Sequence, residues 1–483
     1  MKTQKFLLYF LVALSFFFCI NAEISPYVHG SFHFREALAG EANGAPDVIL
    51  SGTVVTPDKV ITKGWIAIKG GRIDFITENP PASGSVAVIE TGGIIFPGFI
   101  DLHNHPMYNV FTRWHPDKKF SNRYEWRDLK QYQDRIGTPG RDLQQKHDQT
   151  FCDLDAYAEV KALIGGSTSI TGISPRRAPL PLVPSCVDGL IRNLDWASGF
   201  YGPGIGNERI ENIIGVTPRD LKDVDAQRIP EELTNKKIDL LLIHLAEGSP
   251  RDMESTVEFL ALKGRGFLGD HTAIIHGTAL GVGDFRQMRA TGTALIWSPR
   301  SNMELYGCTT NIAAAFRQGV TIALAPDWSP TGSNNMLAEL RYASRFSREQ
   351  LLGLLSDRAL FEMATAVPAR IARIDDKVGS LQPGLFADLV VLKGDVSQPF
   401  AAIVQAQAVD IQLVLVGGVA LYGTEELMNQ FKVSLEPVDV YGVKRLLNFP
   451  ALSCRKFADA EQRLKEALSK YNLNLAPLEE CIH

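Results

Sequence analysis

Six residues in this chain are placed to do acid–base or metal chemistry. They are His103 and His105 in "FIDLHNHP", His244 and Glu247 in "LLLIHLAEG", His276 in "AIIHGTAL" and Asp327 in "IALAPDWSP", and all six fall where an apolar run ends. His103 and His105 are two residues apart, so on an extended strand both side chains point the same way and can offer two nitrogens to one ion. His244 adds a third nitrogen and Asp327 a carboxylate oxygen. Three imidazoles, a carboxylate and a water suit one divalent transition metal in a site with an exchangeable position; zinc is the first choice, and iron(II) and manganese(II) fit the same donors. Zinc would lower the pKa of its bound water toward about 7. Asp327 can then accept a proton from that water, Glu247 can carry it to a leaving nitrogen, and His276 can hydrogen-bond the attacking or developing oxygen. Such a set hydrolyses a carbon that bears a nitrogen leaving group.

These residues need a scaffold that brings strand ends to one place. Eight strand candidates run from "GIIFPGFIDLH" through "GSTSITGI", "GLIRNLDW", "IENIIGVT", "IDLLLIHLAEG", "TAIIHGTAL" and "TALIWSPRSN" to "VTIALAPDWSP". Helix-compatible segments such as "DAYAEVKALI", "DFRQMRAT" and "NIAAAFRQG" separate several of them, each closing near a glycine. Eight βα units predict a TIM-type (β/α)8 barrel over residues 91–379, an α/β fold whose chemistry sits at the C-terminal ends of its strands. The six residues above all lie on that rim. Flanking the barrel, 45–90 and 380–425 alternate apolar and polar residues between tight turns, which predicts a small β-sandwich domain assembled from both ends of the chain. Residues 426–483, with "DAEQRLKEALSKYN", read as a C-terminal helical extension packed on the barrel or on a neighbouring subunit of a homo-oligomer.

Composition narrows the partners. The 483 residues are 45% hydrophobic, enough for a large core. Forty-nine basic against 54 acidic residues, a net charge of −5, leave no basic excess for nucleic acid; the partner is a small-molecule substrate. The first residues, "MKTQKFLLYFLVALSFFFCINAEIS", place two lysines before an apolar run and Ala22 after it, a signal peptide over 1–22 that predicts export to a periplasm or the outside. An uncleaved anchor is the rival reading, but the run is short for a membrane span, so no stable membrane insertion is expected after cleavage. Five cysteines then remain, Cys152, Cys186, Cys308, Cys454 and Cys481, an odd number. A bridge between Cys454 and Cys481 would tie down the C-terminal tail.

The motifs together resemble the amidohydrolase superfamily, in its cytosine deaminase-like and triazine hydrolase-like branch. "PGFIDLHNH" is similar to its strand-one signature, "HLAEG" to its His-x-x-Glu step, "HGTAL" to its strand-six histidine and "SPRSNMELYG" to its strand-seven Ser-Asn loop. "ALAPDWSPTGSNNMLAELRYA" is similar to its strand-eight aspartate and following helix, and "VGSLQPGLFADLVVLKGD" to its return to the small sheet domain. The resemblance covers about residues 45 to 425. It implies a mononuclear site with His103, His105, His244 and Asp327 as ligands, Glu247 as proton shuttle and His276 as a partner of the hydroxide or the substrate. Binuclear members bridge their metals with a carboxylated lysine or a glutamate at the end of strand four, where this chain has Thr217 and Pro218, with Lys222 a badly placed substitute.

Departures from the pattern bear on the substrate. Trp328 follows Asp327 where many relatives have a small residue, and the long segment "PMYNVFTRWHPDKKFSNRYEWRDLKQYQD" after strand one is rich in Tyr, Phe and Trp, so Trp328 and Tyr108 are candidates to stack on a flat substrate. Asn302 is a candidate for positioning it, and Arg176, with Arg177, for pairing an anionic group. The expected activity is hydrolysis of a non-peptide C–N bond in a cyclic amidine or amide, by deamination or ring opening. An acyclic N-acyl or peptide-like amide is the alternative substrate, and an inactive barrel that only binds a ligand is the alternative of another class.

Overall fold

The computed structural model describes residues 45–81, 86, 88–145, 149–172, 190–195, 210–217, 219–449 and 456–480. Its largest ladder is a nine-stranded sheet built from both ends of the chain. The strands are β1 (Val48–Val55), β2 (Val60–Lys69), β3 (Arg72–Thr77), β4 (Val88–Pro97), β13 (Leu389–Leu392), β14 (Ile411–Val416), β15 (Val419–Gly423), β16 (Glu436–Val440) and β17 (Val443–Leu447). They run in the order β16-β17-β15-β14-β13-β4-β1-β2-β3. The alternation of the sequence buries one set of side chains, among them Leu50, Ile66, Ile68, Leu389, Leu413 and Leu415, in a core of their own. Residues 426–483 depart from the helical expectation. Their first part forms the β16–β17 hairpin and joins the sheet; among the described residues the helical parts are Phe457–Ser469 and the short turn Glu425–Met428.

Eight short parallel strands follow one another between these halves. They are β5 (Phe99–Asp101), β6 (Ser167–Ile170), β7 (Arg192–Asn193), β8 (Ile210–Ile213), β9 (Leu240–Leu245), β10 (Thr272–His276), β11 (Ala294–Trp297) and β12 (Ile322–Leu324). Hydrogen bonds link β5-β6-β7 in one sheet and β8-β9-β10-β11-β12 in another. The two meet at the ends of β5 and β12: Asp327 N–H donates to His103 O at 3.0 Å and His105 N–H to Asp327 O at 3.1 Å. Within each sheet the sequence order is therefore the spatial order, with helices between β5 and β6 and between successive strands from β8 to β12. Among the described residues no ladder joins β7 to β8.

The sequence reads "GIIFPGFIDLH" as one barrel strand, but the structure divides it. Val88–Pro97 belongs to the nine-stranded sheet, and the chain crosses to the parallel strands at Gly98, whose N–H still bonds Asp388 O at 3.0 Å while Phe99 N–H bonds Gly166 O at 3.0 Å. A Cβ at Gly98 would stand 2.2 Å from the Thr168 side chain, so the crossing requires glycine. The helix Phe457–Ser469 packs on the helix Thr150–Ile164. There Tyr157 and Phe457 stack at 5.9 Å, and both oxygens of Asp153 accept from Arg463 at 2.7 and 2.8 Å.

Cys308 is a free thiol, whereas Cys152 is disulfide-bonded to a cysteine outside the described residues. Cys186, Cys454 and Cys481 all lie outside them, as do residues 1–44 with the expected signal peptide. Among the described residues no helix is long and apolar enough to cross a membrane.

Candidate metal and proton-transfer site

His103 and His105 emerge just past β5, His244 lies in β9, His276 ends β10 and Asp327 follows β12. Because the strands are parallel and in register, with Ile275 opposite His244, their ends stand side by side. The resulting spacing is tight. His244 Nε2 is 3.2 Å from His103 Nε2 and 3.3 Å from His105 Nε2. Asp327 Oδ1 is 3.2 Å from His103 Nε2 and 3.4 Å from His105 Nε2.

Those distances test whether a metal fits. Donors about 2.0–2.1 Å from a common tetrahedral centre lie about 3.3–3.4 Å from one another; the four pairs that join His103 or His105 to His244 or Asp327 show that spacing, and the ligand atoms of His103, His105 and His244 all lie within 4.8 Å of one another. The ring protons agree with this. His244 Nδ1 donates to the Ile213 carbonyl at 3.3 Å, so its Nε2 turns a lone pair inward, and Ser298 Oγ holds the His103 ring through Nδ1 at 2.8 Å. Lone pairs this close repel unless a cation lies between them.

Electrostatics points the same way. Burial holds His103 and His244 well below the usual imidazole pKa, with neighbouring imidazoles adding to the effect, so both stay neutral. Burial likewise lifts Asp327 well above the carboxylate range, although Ser301 Oγ donates to its Oδ2 at 2.5 Å. A buried cation offsets both penalties. Backbone strain concentrates in the same place: Ala246, His276 and Asp327 take φ of 52°, 66° and 70°, a left-handed region non-glycine residues seldom adopt, and each aims a loop at the cluster.

Beside the donors sits the acid–base pair. His276 Nδ1 bonds Asn302 Oδ1 at 2.8 Å while Asn302 Nδ2 donates to Thr309 Oγ1 at 3.1 Å, which fixes the His276 proton on Nδ1 and leaves Nε2 facing Glu247 Oε1 at 3.7 Å. Burial lowers the His276 pKa, so it is a neutral acceptor there. Glu247 is 4% exposed, and its carboxylate accepts from Tyr306 OH at 2.5 Å.

The expected substrate residues fare differently. Asn302 is fully buried with both ends of its amide engaged, so it orients His276 rather than facing a substrate. Trp328 is buried against His105, ring centres 6.0 Å apart, and against Tyr108, Trp126 and Tyr132 at 5.9, 5.7 and 6.3 Å. The aromatic segment after β5 thus forms a packed roof. His105 and Tyr108, both part-exposed, mark its open edge. Arg176 and Arg177 lie outside the described residues. Lys222 is exposed at the start of the helix Asp223–Thr234, facing solvent. Ser298, Ser301, Tyr306 and Trp126 escaped the sequence reading. The motif "SPRSNMELYG" contains three of them, but which histidine or acid each meets depends on a neighbouring strand.

Comparison with known proteins follows this geometry. Residues 242–421 match the model of the amidohydrolase family. Over 406 residues, 77% of this chain and 91% of the relative, the chain is 22% identical to a 5-methylthioadenosine/S-adenosylhomocysteine deaminase of Acetivibrio thermocellus. An adenosine deaminase of Xanthomonas campestris with bound zinc shares the fold at a TM-score of 0.65 and 15% identity, over 89% of this chain and 99% of that one. Atrazine chlorohydrolase of Arthrobacter aurescens TC1 in complex with zinc does so at 0.60 and 17%, over 77% and 95%.

Proposed function

We propose that the chain is a member of the amidohydrolase superfamily, a hydrolase of non-peptide C–N bonds, and within it a metal-dependent deaminase of an amino-substituted nitrogen heterocycle with a purine nucleoside as the leading substrate class. The observation that carries this is the placing of His103 and His105 Nε2 at 3.2–3.4 Å from both His244 Nε2 and Asp327 Oδ1, beside a buried Glu247 and a neutral His276. His103, His105, His244 and Asp327 would hold one divalent cation, zinc first, which when bound would supply Lewis acidity and make a coordinated water acidic near neutral pH. The exposed Lys222 offers no bridge to a second metal.

The protein's own residues then move protons. Asp327, steadied at Oδ2 by Ser301, presents Oδ1 to the water and accepts its proton as the oxygen attacks the ring carbon bearing the amino group. His276 Nε2 accepts a hydrogen bond and orients the oxygen. Glu247 relays that proton from Asp327 to the departing amino group, which leaves as ammonia, while the second water proton passes to the ring nitrogen as the carbonyl forms. The buried roof of Trp126, Tyr132 and Trp328 keeps bulk water out, and Tyr108 flanks the entrance with a half-buried ring for a planar ligand.

The same reading closes the eight parallel strands into a barrel. It folds the nine-stranded sheet into a small sandwich, since the β2–β3 turn lies on the β14–β15 turn: Ala387 N–H bonds Gly71 O at 2.9 Å and Gly418 N–H bonds Ala387 O at 3.0 Å. It also places the mature protein outside the cytoplasm, supported by the apolar start of the chain and the disulfide at Cys152. The zinc-loaded protein is to be screened against amino-heterocycles, cyclic amides and N-acyl amino acids. Ammonia release from an aminopurine is the expected result, and carboxylate release without ammonia defeats the deaminase reading.

A further inference from the structure

We propose that Tyr306 is the positioning residue for Glu247, and that Trp126 ties that position to the aromatic roof. The inference rests on the reading of Glu247 as the proton carrier. Among the described residues the hydrogen-bond donor that reaches the Glu247 carboxylate is the Tyr306 hydroxyl, on Oε1 at 2.5 Å. That hydroxyl accepts in turn from Trp126 Nε1–H at 2.9 Å. The direction of the chain is therefore fixed. An indole N–H only donates, so the phenol oxygen is the acceptor there and its own proton points to the carboxylate.

The chain begins in the roof. The Trp126 ring lies 5.7 Å from Trp328, 5.0 Å from Tyr132 and 6.5 Å from Trp114, and Trp328 is the neighbour of Asp327. The backbone of the same segment is laid along the Glu247 loop: Arg123 N–H bonds Glu247 O at 3.2 Å and Ser249 N–H bonds Ser121 O at 2.6 Å. One segment thus supplies the roof, the backbone rail beneath Glu247 and, through Trp126 and Tyr306, a hold on its side chain.

A carboxylate that relays a proton must reach both the group that hands it over and the leaving nitrogen. Rotation about its last bond is soft, and a misplacement of about 1 Å costs on the order of a hundredfold in rate. A donor fixed on Oε1, the oxygen that also faces His276 Nε2 at 3.7 Å, sets the plane of the group. Burial also keeps Tyr306 a phenol rather than a phenolate, so it remains a donor. If Tyr306 only filled space, its ring would matter and its hydroxyl would not.

Tyr306→Phe in the zinc-loaded protein keeps the ring and removes the donor. With 5′-methylthioadenosine as the probe, kcat is expected to fall about 10- to 100-fold while KM stays within about two-fold, with zinc content and melting temperature unchanged. Trp126→Phe gives a smaller loss of the same kind, and Tyr306→Phe added to Glu247→Gln gives no further loss. A kcat within about two-fold of the parent, or a loss that persists undiminished in the Glu247→Gln background, overturns the proposal. A second measurement needs no substrate. The Trp126 indole N–H resonance, identified by its absence in Trp126→Phe, is expected to move in Tyr306→Phe and in Glu247→Gln. If the parent releases no ammonia from 5′-methylthioadenosine, that substrate reading fails, yet the resonance still decides the relay: one that stays in place in Tyr306→Phe overturns it.

Discussion

Arg123 lies 1% exposed beneath the Glu247 loop and closes two carboxylates at once. Its guanidinium donates to Glu258 Oε2 at 3.0 Å, pairs with Glu258 Oε1 at 2.6 Å and donates to Asp220 at 2.7 Å, and Glu258 Oε2 accepts in turn from Ala246 N–H at 2.6 Å, which fixes the strained residue just before Glu247. Arg123→Met fills similar space and removes the cation. Asp220 keeps Tyr124 and Arg127, but Glu258 is left with the Ala246 amide. Stranding a buried charge in this way costs about 3–5 kcal/mol. At about 2.1 cal/mol/K of unfolding entropy per residue, 483 residues give about 1 kcal/mol/K, so the melting temperature should fall by about 3–5 °C. The pH dependence carries a sign. In the parent, burial alone would raise Asp220, but Arg123 and Tyr124 pull it below the carboxylate range, so its contribution exists above its unfolded pKa and is lost as pH falls through the folded one. Glu258 is raised by burial even with Arg123 in place, and without Arg123 both acids rise further. The penalty in the variant is therefore full near pH 7.5 and fades toward pH 4.5, where the stranded acids take up protons. Urea titration of both proteins, each stripped of metal by a chelator, measures the difference at the two values, and adding Glu258→Gln to the variant should recover part of the loss at pH 7.5. A stability gap under about 1 kcal/mol, far below the range for a broken buried pair, or a gap that does not change with pH, refutes the argument that Arg123 serves as a buried counter-ion.

The remaining expectations concern the metal, the acid–base pair and one buried lysine. Chelation should lower thermal stability, and zinc restored to about 100 times its dissociation constant should return about 2.7 kcal/mol; His244→Ala, which lacks one of the four donors, should lose most of that response in the same calorimetric titration. Glu247→Gln should retain one zinc per chain by elemental analysis and lose turnover, whereas Asp327→Ala should lose both; near-normal ammonia release from either removes that assignment. Lys161 is buried, donating to Asn109 O and Ser329 Oγ at 2.9 and 3.0 Å, and burial lowers its pKa to about 8 against an unfolded value near 10.5. The unfolded chain binds more protons between these values, so stability relative to Lys161→Met should rise by about 3 kcal/mol from pH 8 to 10.5, read by denaturant titration across that range.

What the sequence discloses about this site follows from how each residue is placed. His103, His105, His244, His276 and Asp327 are legible because each ends an apolar strand run, and parallel strands in register put such ends side by side whatever lies between them. The strand of the first pair is less legible than it looks. "GIIFPGFIDLH" is apolar throughout, and nothing in that run says that Pro97–Gly98 moves the chain from one sheet to another; Thr168, 70 positions away, makes glycine necessary there. The β16–β17 hairpin is hidden for a similar reason, since "EPVDVYGVKRLL" is polar and short and becomes a strand pair through β15, which covers its edge. Asn302 shows the limit for roles. Its type suits a substrate amide, and its buried bonds to His276 and Thr309 come from packing that no local pattern encodes. Tyr306 and Trp126 lie 180 positions apart and meet by one hydrogen bond, so each alone reads as an ordinary core aromatic. The ligands of this site are thus set by local strand pattern, and the groups that aim them are set by contacts between distant segments. For that reason substitutions at the aiming residues, rather than at the ligands, are the ones that test whether the fold and the chemistry have been joined correctly.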